Sequence, residues 1–227
     1  MPDGAANLRE RVVEQVRSEI VSGRIAPGTI YSVPGLATEL GMTTTPVREA
    51  LLELSRAGFL SPMRNRGFRV EQTSLQDLEN IFDLRVLLER HALVEVAKRR
   101  PKDTAPLVTL ADAVADAVKR NDVPGYIETD RRFHEALVAL AGNTLLTGMV
   151  MGLRSNMRLY GIDSSEGRKR QRASVGEHYQ MVELASAGDT EGIAALITKH
   201  IIEWKPLFRA ALAAAPTAKV ATSEYSR

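Results

Sequence analysis

Leu8, Val12, Val16 and Ile20 recur every four residues, which lays an apolar stripe along one face of a helix that Gly23 then ends. A linker follows to Tyr31, with Pro27-Gly28 as its turn. Ser32 is a natural N-cap for a short second helix that turns Leu36, Ala37 and Leu40 inward and stops at Gly41. Thr43 caps a third helix, where Pro46 is tolerated because first-turn N–H groups have no intrahelical partner. Its inward positions Val47, Ala50, Leu51 and Leu54 run up to Gly58. The segment from Phe59 to Glu71 then reads as two short strands about the polar turn Arg64-Asn65-Arg66-Gly67.

Beyond Thr73 the pattern is helical throughout. Leu75, Leu78, Phe82, Arg85 and Leu88 share a stripe that Pro101 closes, and further helices are expected over about 103–121, 124–141, 143–160, 165–187 and 189–213. The last stretch is small, polar and without period, so a frayed tail is expected there. The chain therefore divides into a winged helix-turn-helix at 1–73, an all-helical domain at 74–213 and a disordered tail at 214–227, a mainly α fold.

The absence of cysteine excludes a disulfide framework and a thiolate metal site, and fits a reducing compartment. No apolar run approaches the roughly 20 residues that cross a bilayer, and no cationic segment with an apolar core opens the chain, so a cytoplasmic protein with no membrane partner is expected. A net charge of only +2 means that any face for nucleic acid arises from local placement.

That placement is visible. Two short helices joined through Gly41-Met42 and followed by a basic hairpin are what a winged helix-turn-helix requires. The amino end of the third helix carries Thr44, Thr45 and Arg48 away from its apolar stripe, in position to enter a major groove, with Thr43 beside them as cap and phosphate contact. Arg64 and Arg66 sit at the wing tip, where they neutralise phosphates or enter the minor groove, and Gly67 permits the turn. Arg48 has a scaffold alternative, an ion pair with Glu39 or Glu49.

These residues carry a resemblance. Ser22-Gly23-Arg24-Ile25-Ala26-Pro27-Gly28, Thr45-Pro46-Val47-Arg48-Glu49-Ala50-Leu51, Gly58 and Arg66-Gly67 resemble, in order and spacing, the GntR family of bacterial regulators over about residues 8–71. The resemblance implies a double-stranded operator as partner, bound as a homodimer on an inverted repeat, with repression the more usual outcome. Many members have arginine where this chain has Thr44, which implies a different operator sequence.

Three of the four histidines form a second pattern. Asp130 and His134 stand one helical turn apart on one face, within reach of one ion. His178 lies ten residues before Gly188 and His200 eleven after Asp189, so the two stand side by side if those helices form an antiparallel hairpin. Three imidazoles and a carboxylate suit a divalent ion, Zn²⁺, Ni²⁺, Mn²⁺ or Fe²⁺, with Zn²⁺ expected on isolation, and leave positions open for an incoming carboxylate. Any one of these histidines could instead satisfy a core hydrogen bond, the role assigned to His91.

The same region is similar to the FCD ligand-binding domain of the FadR subfamily. The residues are Asp77, Arg85 to Glu89, Asp130, Phe133 to Leu137, Gly142-Asn143, His178, Gly188-Asp189 and His200. The resemblance implies an antiparallel bundle of six or seven helices that binds small organic acids, often on the metal. Arg85, inward on the first helix of the bundle, suits an effector carboxylate or a buried pair with Asp83, Glu89 or Asp130. Asn156 and Arg158 are weaker effector contacts, and the run Arg168-Lys169-Arg170 with Arg172 reads as solvated charge. Two other readings remain open: a metal-dependent hydrolase-like enzyme, with Arg85 and Glu135 as its only extra groups, and a regulator whose metal is purely structural.

Overall fold

The computed structural model describes residues 3–157 and 159–214. The expected tail therefore lies outside the described residues from position 215 on, as does Arg158. The chain forms two compact units, divided between Thr73 and Ser74.

The first unit runs α1 (Asp3–Val21), β1 (Ile30–Tyr31), α2 (Val33–Glu39), α3 (Thr44–Arg56), β2 (Leu60–Met63) and β3 (Gly67–Val70). The α1 stripe of Val12, Val16 and Ile20 is buried, as are Leu36, Val47, Leu51 and Leu54, so three helices share one apolar core. Ser32 accepts from the Gly35 N–H and caps α2. Thr43 holds the N-cap position of α3 without a side-chain cap bond, which leaves its hydroxyl free for another acceptor or donor.

One element here differs from expectation. Ile30 and Tyr31 form a third strand, paired antiparallel with β3 as Ile30↔Arg69 and Tyr31↔Phe68, so the sheet order is β1-β3-β2. A two-residue strand is too short to show a period, which is why it read as linker. The added strand also constrains Gly67 beyond the turn itself. With φ +114 this residue adopts a backbone state that suits glycine, and a Cβ there would overlap the Tyr31 carbonyl.

The second unit is a bundle of α4 (Leu75–Arg99), α5 (Ala105–Lys119), α6 (Val123–Ala139), α7 (Thr144–Asn156), α8 (Ser165–Ala187), α9 (Thr190–Ile202) and α10 (Lys205–Ala214). Their starts are written in the sequence: Asp122, Asn143, Ser164 and Asp189 each accept a backbone N–H three residues on, and Ser74 with Asp77 closes a capping box. Helix α4 packs against α9, α7, α8 and α6, and α5 against α6 and α8. The core between them holds Leu78, Phe82, Leu93, Val96, Phe133, Leu137, Met181 and Ile197.

The helix expected over 189–213 is two. Pro206 has no N–H to offer the Ile202 carbonyl, so the chain turns at Glu203 and Trp204 before α10 begins. Gly188, in the left-handed conformation at φ +77, ends α8 and sets up the antiparallel α8–α9 hairpin.

Candidate metal centre and DNA-reading face

In the first unit Thr43, Thr44, Thr45 and Arg48 are all exposed at the amino end of α3, while Pro46, Val47 and Ala50 are buried beneath them. Arg48 makes no ion pair among the described residues, so its guanidinium is available to a ligand rather than spent on Glu39 or Glu49. Arg64 and Arg66 are exposed at the β2–β3 turn. Asn65 between them takes φ 60, a left-handed turn conformation that asparagine tolerates.

In the second unit Asp130, His134, His178 and His200 each turn one ligand atom toward a common point, and these atoms all lie within 4.8 Å of one another. The carboxylate and first imidazole come from successive turns of α6, the other two rings from the two arms of the α8–α9 hairpin. His178 Nε2 lies 3.1 Å from Asp130 Oδ1 and 3.3 Å from His134 Nε2, and His134 Nε2 lies 3.7 Å from Asp130 Oδ1. The three ring centroids form a near-equilateral triangle of 5.1, 5.2 and 5.2 Å.

Adjacent donors about 2.1 Å from one six-coordinate ion stand roughly 3 Å apart, close to the 3.1–3.7 Å spacings among Asp130, His134 and His178, and such an ion would keep two positions beyond the four donors. All three rings are buried, and Phe133 packs its ring against both His134 and His178. Two imidazole nitrogens and a carboxylate oxygen that face one another in such an interior are lone pairs a cation satisfies better than any hydrogen-bond scheme among themselves.

The protonation states suit ligation. Burial pushes His134 far below the ordinary imidazole range, helped by the Arg154 charge. Burial likewise lowers His200, to about 4, against the upward pull of its hydrogen bond to Glu177. Both rings are therefore neutral at neutral pH, with lone pairs to give. Burial works to raise Asp130, but His134, Arg154 and the hydrogen bond from His178 outweigh it and hold the carboxyl well below the carboxylate range.

The wider surroundings form an alternating chain of charge. Arg154 on α7 donates from Nη2 to Asp130 Oδ2 and from Nη1 to Glu89 Oε2, each at 2.7 Å. Glu89 takes its other hydrogen bond from Arg85 Nε, also at 2.7 Å. Arg85 thus points inward and adopts the carboxylate pairing that the sequence left open, with Glu89 rather than Asp83 or Asp130. Its Nη1 faces Met157 Sδ at 3.4 Å.

On the opposite side of the centre, Glu177 Oε2 accepts from His200 Nδ1 and from Arg170 Nη2, both at 2.6 Å. Arg170 is buried on α8, so this member of the basic run is an internal ion-pair residue and not solvated charge. Lys169 and Arg172 are exposed as expected, and Arg168 is half-buried in a 2.7 Å ion pair with Asp163.

Asn156, at the end of α7, is exposed and has no hydrogen bond to this network among the described residues. Two residues turn an α-helix by about 200°, so once Arg154 faces inward Asn156 faces out. Glu135, the base that a hydrolase reading would need, lies on the exposed side of α6 in a 3.2 Å ion pair with Arg131. Arg154, Glu177 and Arg170 do not stand out in the sequence as members of the site. A usable signal existed for the last two: 170, 174, 177, 178 and 181 lie along one face of α8, the face that carries His178 and the core residue Met181.

With the geometry in place, comparison with known proteins decides the family. Residues 80–203, more than half of the chain, match the FCD domain, and residues 8–70 match the bacterial regulatory proteins of the gntR family. The chain belongs to the GntR family. This GntR regulator is 33% identical over 130 residues to an HTH-type transcriptional regulator from the TAR-I ttuE-ttuC' intergenic region of Agrobacterium vitis, covering 56% of the chain and 76% of the relative. It is 26% identical over 189 residues to McbR of Escherichia coli, covering 82% and 86%. A third relative, 28% identical over 204 residues with 87% and 89% covered, is the probable D-xylose utilization operon transcriptional repressor of Paenarthrobacter nicotinovorans.

The solved structure of E. coli McbR superposes with a TM-score of 0.78 at 24% identity, covering 89% of this chain and 97% of that one, which shows the shared fold. The GntR regulator thus couples a winged helix-turn-helix to an FCD bundle, and among its described residues no helix is long and apolar enough to cross a membrane.

Proposed function

We propose that this GntR-family protein is a cytoplasmic repressor whose operator affinity is set by a small carboxylate effector held on a divalent metal ion, Zn²⁺ in the first instance, at Asp130, His134, His178 and His200. The observation that carries the reading is the buried convergence of those four donors from three helices. An ion held by these four residues would supply Lewis acidity toward carboxylate oxygens, provided that its coordination number exceeds four.

The charge balance around the centre supports an anionic effector. Arg85, Arg154 and Arg170 face Glu89, Asp130 and Glu177, so these six groups already balance one another before any ion enters. A divalent cation then brings two uncompensated positive charges into a buried site, which a carboxylate ligand offsets. Arg85 is the residue we assign to a further effector carboxylate, by exchange with Glu89, whereas Asn156 is exposed at the end of α7.

The head reads DNA through Arg48, Thr44 and Thr45 in the major groove, with Thr43, Arg64, Arg66 and the turn at Gly67 on the backbone. A homodimer reads the two halves of an inverted repeat. Exposed Leu84 and Leu87 on α4 and Leu145 and Met149 on the adjacent α7 offer an apolar face for a second copy, with Asp83 and Arg90 one heptad apart on the same α4 face to pair across a two-fold axis. The repressor sense rests on the name carried by the Paenarthrobacter relative.

An effector can shift operator affinity only by binding two states of the protein unequally. The test is an operator titration with metal-stripped and Zn²⁺-loaded protein across a panel of small mono-, di- and tricarboxylates. The reading expects an acid that changes operator affinity in the loaded protein alone. Equal operator affinity under every condition refutes it.

A further inference from the structure

The four donors account for one edge of each imidazole, and the opposite edges are not alike. Nδ1 of His134 and Nδ1 of His178 are buried with no hydrogen-bond partner among the described residues, whereas Nδ1 of His200 stands 2.6 Å from Glu177 Oε2. Glu177 immediately precedes the ligand His178 on α8, about 100° further round the helix, so its carboxylate reaches α9 rather than the metal point. Arg170, two turns earlier on α8, uses a single nitrogen twice: Nη2 donates to that same Glu177 oxygen at 2.6 Å and to the His200 backbone carbonyl at 3.1 Å. The ligand is thus held by its ring and by its backbone through one guanidinium.

The same guanidinium reaches the α9–α10 joint. Its Nε lies 3.5 Å from Glu203 Oε2, and its carbon sits 5.5 Å from the centre of the Trp204 ring. Trp204 stacks on Phe208, which packs on Phe82 of α4. Lys205 and Arg209 of α10 both pair with Glu79, in the second turn of α4.

We propose that Glu177 and Arg170 are positioning residues for His200: they fix which ring nitrogen carries the hydrogen and so turn the other toward Asp130, His134 and His178, while tying that ring to the α9–α10 joint. This rests on the four-donor reading of the metal centre. An ionised carboxylate has no hydrogen to donate, so the hydrogen between Glu177 and His200 belongs to Nδ1, and Nε2 is left with its lone pair toward the metal point. A carboxylate behind an imidazole also makes the ring a stronger donor to metal. His200 is therefore the ligand anchored from behind, whereas the Nδ1 edges of His134 and His178 have packing alone behind them among the described residues.

The experiment uses full-length protein labelled with ¹⁵N. In the metal-free wild type at neutral pH, imidazole nitrogen shifts should give His200 in the Nδ1–H form. In Glu177→Ala that form should be lost, and Zn²⁺ affinity, read by competition with a chromophoric chelator, should fall by about 10- to 100-fold. Glu177→Gln keeps an oxygen that accepts from Nδ1, so it should retain the tautomer and lose less affinity than the alanine variant. Arg170→Met leaves the carboxylate in place and should likewise keep the tautomer while weakening Zn²⁺ binding, which preserves the test should the alanine variant misfold. A merely structural ion pair between α8 and α9 would change stability without moving the tautomer. Wild-type His200 in the Nε2–H form, or Zn²⁺ affinity unchanged in the Glu177 variants, overturns the assignment while leaving the metal centre intact. A wild-type chain that takes up no Zn²⁺ overturns both.

Discussion

Glu89 sits between two guanidinium groups with neither oxygen free and no exposed surface. Burial works to raise its pKa, and Arg154 and Arg85 together outweigh that and keep it ionised. Removing one partner of a buried ionic set costs far more than the set contributes, because the remaining charges lose compensation without regaining water. Glu89→Ala should accordingly lower the unfolding free energy by about 3–5 kcal/mol, seen as an earlier urea midpoint. A midpoint equal to wild type would show that Arg85 and Arg154 find other partners.

Acid sensitivity belongs to the same residues. In the metal-free chain, burial holds His200 at about 4 in the folded state, whereas the unfolded chain protonates it near 6.5. Between those values the unfolded state binds more protons, so stability rises with pH across the window and falls as the medium is acidified. Glu177, held at about 2 by His200 and Arg170 against the upward effect of burial, adds a loss of the same sign at lower pH. The melting temperature of chelator-treated protein should be level above about pH 7 and decline steadily toward pH 4. No decline over that range would mean that His200 is not buried in its neutral form.

At the scale of elements, the histidine pattern was legible because helical geometry converts spacing to position. Ten residues before Gly188 and eleven after Asp189 put His178 and His200 level across a hairpin, and the ring centroids are 5.2 Å apart. Arg154 and Glu177 were not legible, since a lone charged residue on a helix is usually solvated and nothing local says that it faces inward. The break at Pro206 had a visible cause that the long apolar pattern around it obscured, and β1 was too short to declare itself.

That short strand makes a sharp prediction about the wing. Gly67→Ala forces a side chain against the Tyr31 carbonyl in a backbone state hostile to Cβ, so β1 and β3 must separate. The head should lose about 1–3 kcal/mol of stability, and the Arg64–Arg66 tip its fixed position, with weaker operator binding in gel-shift titration. Wild-type stability and affinity would mean that the β1 pairing contributes nothing to the DNA-reading head.

For the whole molecule, a net charge of +2 gives little long-range attraction to DNA, so recognition depends on where the exposed arginines of α3 and the wing are held. In the proposed reading it depends also on two copies acting together. Replacing Leu87, 64% exposed on α4, with glutamate should shift the protein from dimer to monomer in sedimentation and weaken binding to an inverted repeat more than to a half-site. An unaltered dimer would move the interface elsewhere.

The central claim is that Asp130, His134, His178 and His200 hold one divalent ion. Its most direct measurement is elemental analysis of desalted, Zn²⁺-loaded full-length protein beside His178→Ala. The account predicts one zinc per chain in the wild type and substoichiometric zinc in the variant. Absence of bound zinc in the wild type, or an equal amount in the variant, would contradict it.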